Sequence, residues 1–201
     1  MNEVDEKNYI TVFSTINLIF MNRFIFLCNS IMNKREKIKS FLYEQGRIAI
    51  VGLGNEYRTD DGAGIALIRL LKDSGVDRIN RVALFEANQN LIRYIPDIEN
   101  FQPSGILVLD AADLGIELGQ IKVLNENQII EKRISTHENN LQLAMAYLKI
   151  VLPEHKILFI GIQFKSLEMS RKLMLTEKIR KVVEELARLI TDTVLRRQVD
   201  V

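Results

Sequence analysis

Hydrophobic positions in this chain fall into short unbroken runs separated by stretches of helical period. Ile48–Leu53 is apolar throughout, the pattern of a strand covered on both faces. Asn80–Ala87, Gly105–Asp110, Gln120–Leu124 and Lys156–Ile162 read as further strands, the fourth strand running antiparallel to a neighbour because its connection is short. Gly62–Asp73 carries Ile65, Leu67, Ile68, Leu70 and Leu71 at helical spacing and stops at Ser74-Gly75. Asn88–Tyr94 predicts a helix that halts near Pro96, and Glu138–Val151 one that Pro153 closes. Leu173–Arg197 predicts a long closing helix with Ile179, Val182, Val183, Leu186 and Leu189 on its core face. Upstream, Lys34–Gln45 reads as a short amphipathic helix with Ile38, Phe41 and Leu42 on one side.

Strands alternating with helices predict an α/β fold: a three-layer sandwich around a mainly parallel, twisted five-stranded sheet. Right-handed connections and an order beginning 2-1-3 make the first and third strands neighbours. Ligands of such sheets bind beyond the carboxyl ends of the strands, where the order reverses. The loop after Leu53, with Asp60 and Asp61, and the loop after Leu109, with Asp110 and Asp113, then border one crevice.

The 201 residues suit one substantial domain, and 47% hydrophobic content suffices for a full core. Lys plus Arg at 27 against Asp plus Glu at 26 gives no argument for nucleic acid or an acidic membrane as partner. The single cysteine, Cys28, excludes an internal disulfide or a cysteine-cluster metal site and fits a reducing, cytoplasmic setting. Residues 1–46 differ from the rest. Tyr9–Met32 is apolar but interrupted by Asn17, Asn22-Arg23 and Asn29, which argues against a membrane-spanning helix. We expect an extension that is poorly ordered, or a true start at Met21 or Met32, ahead of a single domain at 47–201.

Gly52-Leu53-Gly54 after a strand invites a nucleotide reading. The dinucleotide fingerprint needs a third glycine where Tyr57 stands, and no Gly-Lys-Ser/Thr follows. Two aspartates at a helix entrance repel phosphate. One of Asp60 and Asp61 suffices to cap the helix, so the other is available to face the crevice. Asp110 is either a turn residue or a crevice acid, and His137, in Ser135-Thr136-His137 before a helix, either a solvated imidazole or a site residue. His155, in the turn after Pro153-Glu154, reads as surface. Two carboxylates and an imidazole from three loops suit a borderline divalent metal such as nickel or zinc, and equally an acid–base set. Spacing alone leaves both open.

These residues together resemble the hydrogenase maturation endopeptidases. The motifs are Gly52-Leu53-Gly54-Asn55 with Asp60-Asp61-Gly62-Ala63-Gly64; Asp110-Ala111-Ala112-Asp113-Leu114-Gly115; Ser135-Thr136-His137; and Gly161-Ile162-Gln163. The second and third are closest to the hydrogenase-3-type and archaeal branch. The resemblance implies a phosphorylase/hydrolase-like sandwich and an aspartic-type endopeptidase, monomeric and cytoplasmic. Such an enzyme removes a short C-terminal peptide from the precursor of a nickel–iron hydrogenase large subunit after nickel insertion. It places the metal-contacting and catalytic roles on Asp61, Asp110 and His137, with Asn55 shaping the turn and Asp60 in support. The nickel is that of the precursor, a recognition signal; no tightly held cofactor of the protease's own is expected. A chaperone that senses nickel loading without cutting is the alternative. The chain departs from the family pattern at Glu86-Ala87-Asn88-Gln89-Asn90, where Gly-Gly-Thr is common, and at Phe164, where proline often follows the last motif. Phe164–Leu173 is therefore expected to shape a different substrate groove.

Overall fold

The structure, a computed structural model, describes residues 33–132 and 138–199. Contacts divide the chain into Met1–Lys37 and Ile38–Val201, and the second unit is the one described below. Residues 1–32 of the predicted extension, including its apolar run, lie outside the described residues; its last part, 33–46, is described and includes a helix over 33–44. Among the described residues no helix is long and apolar enough to cross a membrane.

A single sheet holds β1 (Ile48–Leu53), β2 (Val82–Asn88), β3 (Gly105–Ala112), β4 (Ile121–Asn125) and β5 (Lys156–Gln163) in the order β2-β1-β3-β5-β4. Only β4 runs antiparallel, against β5. The side-chain period of two sends alternate residues of each central strand to opposite faces. Ile48 and Ile50 of β1 and Leu107 and Leu109 of β3 face α1 (33–44), α2 (Ala63–Asp73) and α6 (Glu177–Val199). Ala49, Val51, Ile106 and Val108 face α3 (Ile95–Phe101) and α5 (Glu138–Val151). Both faces are thus buried, which is why these strands read as unbroken apolar runs. Ile38 and Leu42 of α1 are fully buried in the first of these cores.

The predicted sandwich and the 2-1-3 start of the sheet hold, with four differences in detail. Pro96 opens a helix instead of closing one: it stands in the first turn of α3, after a 3-10 turn at Leu91–Tyr94, where its missing N–H costs nothing. Strand β3 continues two residues past Asp110, so Asp110 lies within the strand and not in a loop. A short helix, α4 (Glu126–Lys132), follows β4 directly. Helix α6 begins at Glu177, leaving Phe164–Thr176 without regular structure.

Candidate active site

The loop between β1 and α2 is built by close backbone approach. Gly54, at φ 143°, lies under the Asp61 carbonyl; a Cβ there would stand 2.0 Å from that oxygen. A Cβ on Gly52 would meet the Gly64 carbonyl at 2.2 Å, and one on Gly64 would meet the Leu53 and Leu109 carbonyls at 2.2 and 2.6 Å. The start of α2 is thereby seated directly on the ends of β1 and β3. Asn55 shapes the turn as expected: its side-chain oxygen accepts the Tyr57 N–H at 2.9 Å, and its carbonyl accepts that of Arg58 at 3.0 Å. The chain then enters a 3-10 turn, Thr59–Gly62, which lies against β3.

Asp61 on that turn and Asp110 on β3 are both completely buried. Alternation along β3 puts Asp110 on the same face as Val108, toward the α3 and α5 layer. Its register partner on β5 is Gly161, the one position of that strand without a side chain; Phe159, Leu114 and Ala112 close to 3.0–3.2 Å of where a Cβ would be. Helix α5 begins at Glu138, immediately after His137 in sequence; His137 itself lies outside the described residues. Among the described residues no group of three or more His, Cys, Asp or Glu side chains forms a metal cluster. His155 is half-buried, contrary to the surface reading, with Nδ1 hydrogen-bonded to the Leu152 carbonyl at the end of α5.

Gln163, at the end of β5, holds the segment that follows Asp110. Its Oε1 accepts the Leu114 N–H at 2.7 Å, and Nε2 points to Asp113 Oδ1 at 3.5 Å. Lys122 of β4 donates to the Leu114 carbonyl at 2.7 Å. The motif Gly161-Ile162-Gln163 therefore braces the motif that begins at Asp110. At the end of β2, Asn88 takes φ 49° and its carbonyl accepts the Gly54 N–H at 2.9 Å. Asparagine is among the few residues with a side chain that tolerate that left-handed conformation.

Asp60 departs most from expectation. Neither aspartate caps the turn or α2, whose N-cap positions, Arg58 and Gly62, make no side-chain capping bond. The fully buried Asp60 carboxylate instead accepts four hydrogen bonds, from the N–H groups of Lys165, Ser166 and Thr176 at 3.0, 3.1 and 2.7 Å and from the Thr176 hydroxyl at 3.1 Å. Thr176 directly precedes α6, so the negative charge also sits at the positive end of that helix. A ladder continues the attachment: Thr59 donates from its N–H to Glu168 at 3.1 Å and from its hydroxyl to Ser166 at 2.7 Å, and Ser170 donates to the Tyr57 carbonyl at 2.7 Å. Leu173 closes over Gly62, where a Cβ would meet its Cδ1 at 2.3 Å.

An ionic network secures the other side of the loop. Arg69 of α2 donates to Glu56 at 2.9 Å and to Glu86 of β2 at 3.3 Å, and Lys72 donates to Glu86 at 2.8 Å. Partial burial pushes the Glu86 carboxyl upward, but the hydrogen bond and charge of Lys72, then those of Arg69, outweigh it and hold Glu86 below its ordinary value.

A family model described as hydrogenase maturation protease, HycI, matches residues 65–193, more than half of the 201. That match begins after Asp61 and spans Asp110 and His137. The chain is 31% identical over 127 residues to a Methanocaldococcus jannaschii relative whose name places it provisionally among hydrogenase maturation proteases, covering 61% of this chain and 75% of that one. It is 30% identical over 112 residues to the hydrogenase 3 maturation protease of Escherichia coli K12, covering 55% and 69%. The crystal structure of the [NiFe] hydrogenase maturation protease HycI from Thermococcus kodakarensis superposes with TM-score 0.70 at 25% identity, covering 78% of this chain and 97% of that one.

Proposed function

The chain belongs to the hydrogenase maturation protease family, and from that premise we propose that it is an aspartic-type endopeptidase. In this reading it removes a short C-terminal peptide from the precursor of a nickel–iron hydrogenase large subunit once nickel has been inserted. The observation that carries the reading is the pair of fully buried carboxylates, Asp61 and Asp110, on elements that Gly64 seats against each other. Carboxylate oxygens are donors that suit a divalent cation, and in this reading the nickel carried in by the precursor comes to them. Asp61, Asp110 and His137 contact it; an oxygen–nitrogen donor set suits nickel. The nickel belongs to the substrate, and a precursor without it is left uncut.

Hydrolysis adds water across the scissile amide: hydroxide goes to the carbonyl carbon and the proton to the departing amine. Two roles fit the site: a carboxylate takes the proton of the attacking water, or the nickel polarises the scissile carbonyl. The protein works as a monomer in the cytoplasm.

The test mixes the protein with nickel-loaded and nickel-free precursor and weighs the large subunit by mass spectrometry. Only the nickel-loaded form loses mass, and Asp61→Ala abolishes the loss while keeping its fold by circular dichroism. An unchanged precursor mass overturns the protease reading; a stable complex without mass loss marks a sensor that does not cut.

A further inference from the structure

The segment Phe164–Thr176 stands beside the site and has no part in the proposed chemistry. Its inner side is tied down by Asp60 and by the ladder to Tyr57–Asp60. Its outer side is apolar and cationic. Met169 is 78% exposed, Met174 53%, and Tyr57, whose carbonyl accepts the Ser170 N–H, 53%. Lys165, Arg171 and Lys172 are exposed, and none has a carboxylate partner among the described residues. Glu168 is the only acid in the segment. Methionine and tyrosine on a surface adapt to varied apolar partners, and unpaired cations beside them favour carboxylates.

We propose that this rim is a docking surface for an extended polypeptide segment of apolar and acidic side chains, the C-terminal tail of the substrate flanking the scissile bond. The inference rests on the proposed protease activity and adds the chemistry of what is held. A peptide bond presented to Asp61 on the Thr59–Gly62 turn has beside it the residues packed on that turn. Those residues are Leu173 against Gly62 and the ladder partners of Thr59 and Asp60. A tail held there has its reacting bond positioned before attack. Its carboxylates meet Lys165, Arg171 and Lys172, and its apolar side chains meet Tyr57, Met169 and Met174.

The experiment compares two charge-reversed double variants. Arg171→Glu/Lys172→Glu alters the rim. Arg78→Glu/Lys156→Glu makes the same change at exposed positions, one in the turn ahead of β2 and one at the start of β5, at the amino-terminal ends of those strands. Processing of the nickel-loaded precursor is followed by mass spectrometry at low and at physiological salt. Direct binding is read from the anisotropy of a fluorescein-labelled peptide of alternating leucine and aspartate and of its leucine–asparagine counterpart. The rim variant loses about tenfold in kcat/KM at low salt, with a smaller loss as salt screens the rim, while the control variant follows the wild type. The wild type binds the aspartate peptide more tightly than the asparagine peptide, and the rim variant loses that preference. A rim variant that processes precursor within about twofold of the wild type overturns the inference and leaves the protease reading intact. If the wild type leaves the precursor uncut, the protease reading fails alone. The peptides still decide the rim: equal affinity for both, or equal affinity of wild type and rim variant, overturns it.

Discussion

Replacing Asp60 by asparagine is the sharpest test of how the site is assembled. Asparagine keeps the shape but has one acceptor oxygen. With that oxygen in the place of Oδ2, it still accepts from Lys165, Ser166 and the Thr176 hydroxyl, and its NH2 then faces the Thr176 N–H across 2.7 Å. Flipped, it satisfies Thr176 and confronts two N–H donors instead. The better choice strands one buried donor, at about 1–3 kcal/mol, and weakens three charge-assisted bonds by roughly 1 kcal/mol each. Relief from burying a charge returns part of this. The net loss is about 2–4 kcal/mol, expressed first as opening of Phe164–Thr176 and equal to roughly a 30- to 1,000-fold shift in the opening equilibrium. The Lys165–Ser166 bond is a tryptic site whose residues both donate their N–H groups to Asp60. Its cleavage rate, mapped by mass spectrometry, reports that opening. Urea unfolding of the same variant gives the global term. Cleavage within about twofold of the wild type, with stability unchanged to about 0.5 kcal/mol, refutes the latch. Asp61→Asn, which makes none of these bonds, keeps the segment protected while processing is lost.

Gly64→Ala drives a Cβ to 2.2 Å from the Leu53 carbonyl and 2.6 Å from that of Leu109, both backbone atoms that cannot yield. Urea unfolding should show a loss of about 3 kcal/mol or more, against about 0.5 kcal/mol or less for Gly46→Ala, where the nearest atom is 3.7 Å away. Glu86→Gln tests the ionic network through pH. The folded carboxyl titrates below its ordinary 4.5, so its contribution is present above that value and lost as pH falls through the depressed one. The partly exposed pairs make the wild type about 1 kcal/mol more stable than the variant at neutral pH. Urea titrations should show that gap closing in acid; a constant gap contradicts the assignment. Gln163→Ala strands the Leu114 N–H and should cost about 1–2 kcal/mol, with faster hydrogen exchange at Leu114. Gln163→Glu, which keeps the acceptor, should lose less; equal exchange in both variants refutes the brace.

The sheet was legible because its central strands are buried on both faces and carry no competing signal: Ile48–Leu53 and Gly105–Asp110 are apolar at every position before the aspartate. The elements that carry Asp61 and Asp110 could be brought together from strand order alone, since β1 and β3 are neighbours and the turn after β1 lies against β3. Pro96 misled because one residue either ends a helix or starts one, and only the 3-10 turn before it decides. Helix α6 was begun too early because Leu173 has helical spacing from the residues below it, yet its side chain is spent on Gly62. Gln163 stands in a motif, but nothing near it in sequence signals its bracing role. Its partners, Leu114 and Asp113, are distant in sequence and reach it only because β3 and β5 run side by side.

The adjacent aspartates show where local reasoning stops. Both are acids at a helix entrance, and propensity treats them alike. What separates them is the turn they occupy. A 3-10 turn has three residues per revolution, so successive side chains point about 120° apart. Asp60 faces the segment Lys165–Thr176, more than a hundred residues further along the chain, and satisfies its backbone. Asp61 is therefore rotated away from that segment, on a turn that lies against β3. Two carboxylates in sequence exceed what capping needs because neither is a cap: Asp60 fixes the segment packed on the turn, and Asp61, equally buried, points elsewhere. The roles are not exchangeable, since either side chain would have to turn by a third of a revolution on a backbone pinned by Gly54 below and Leu173 above. The acid still present at position 60 cannot rescue Asp61→Asn in precursor processing, and retained processing would show that the turn does not separate them.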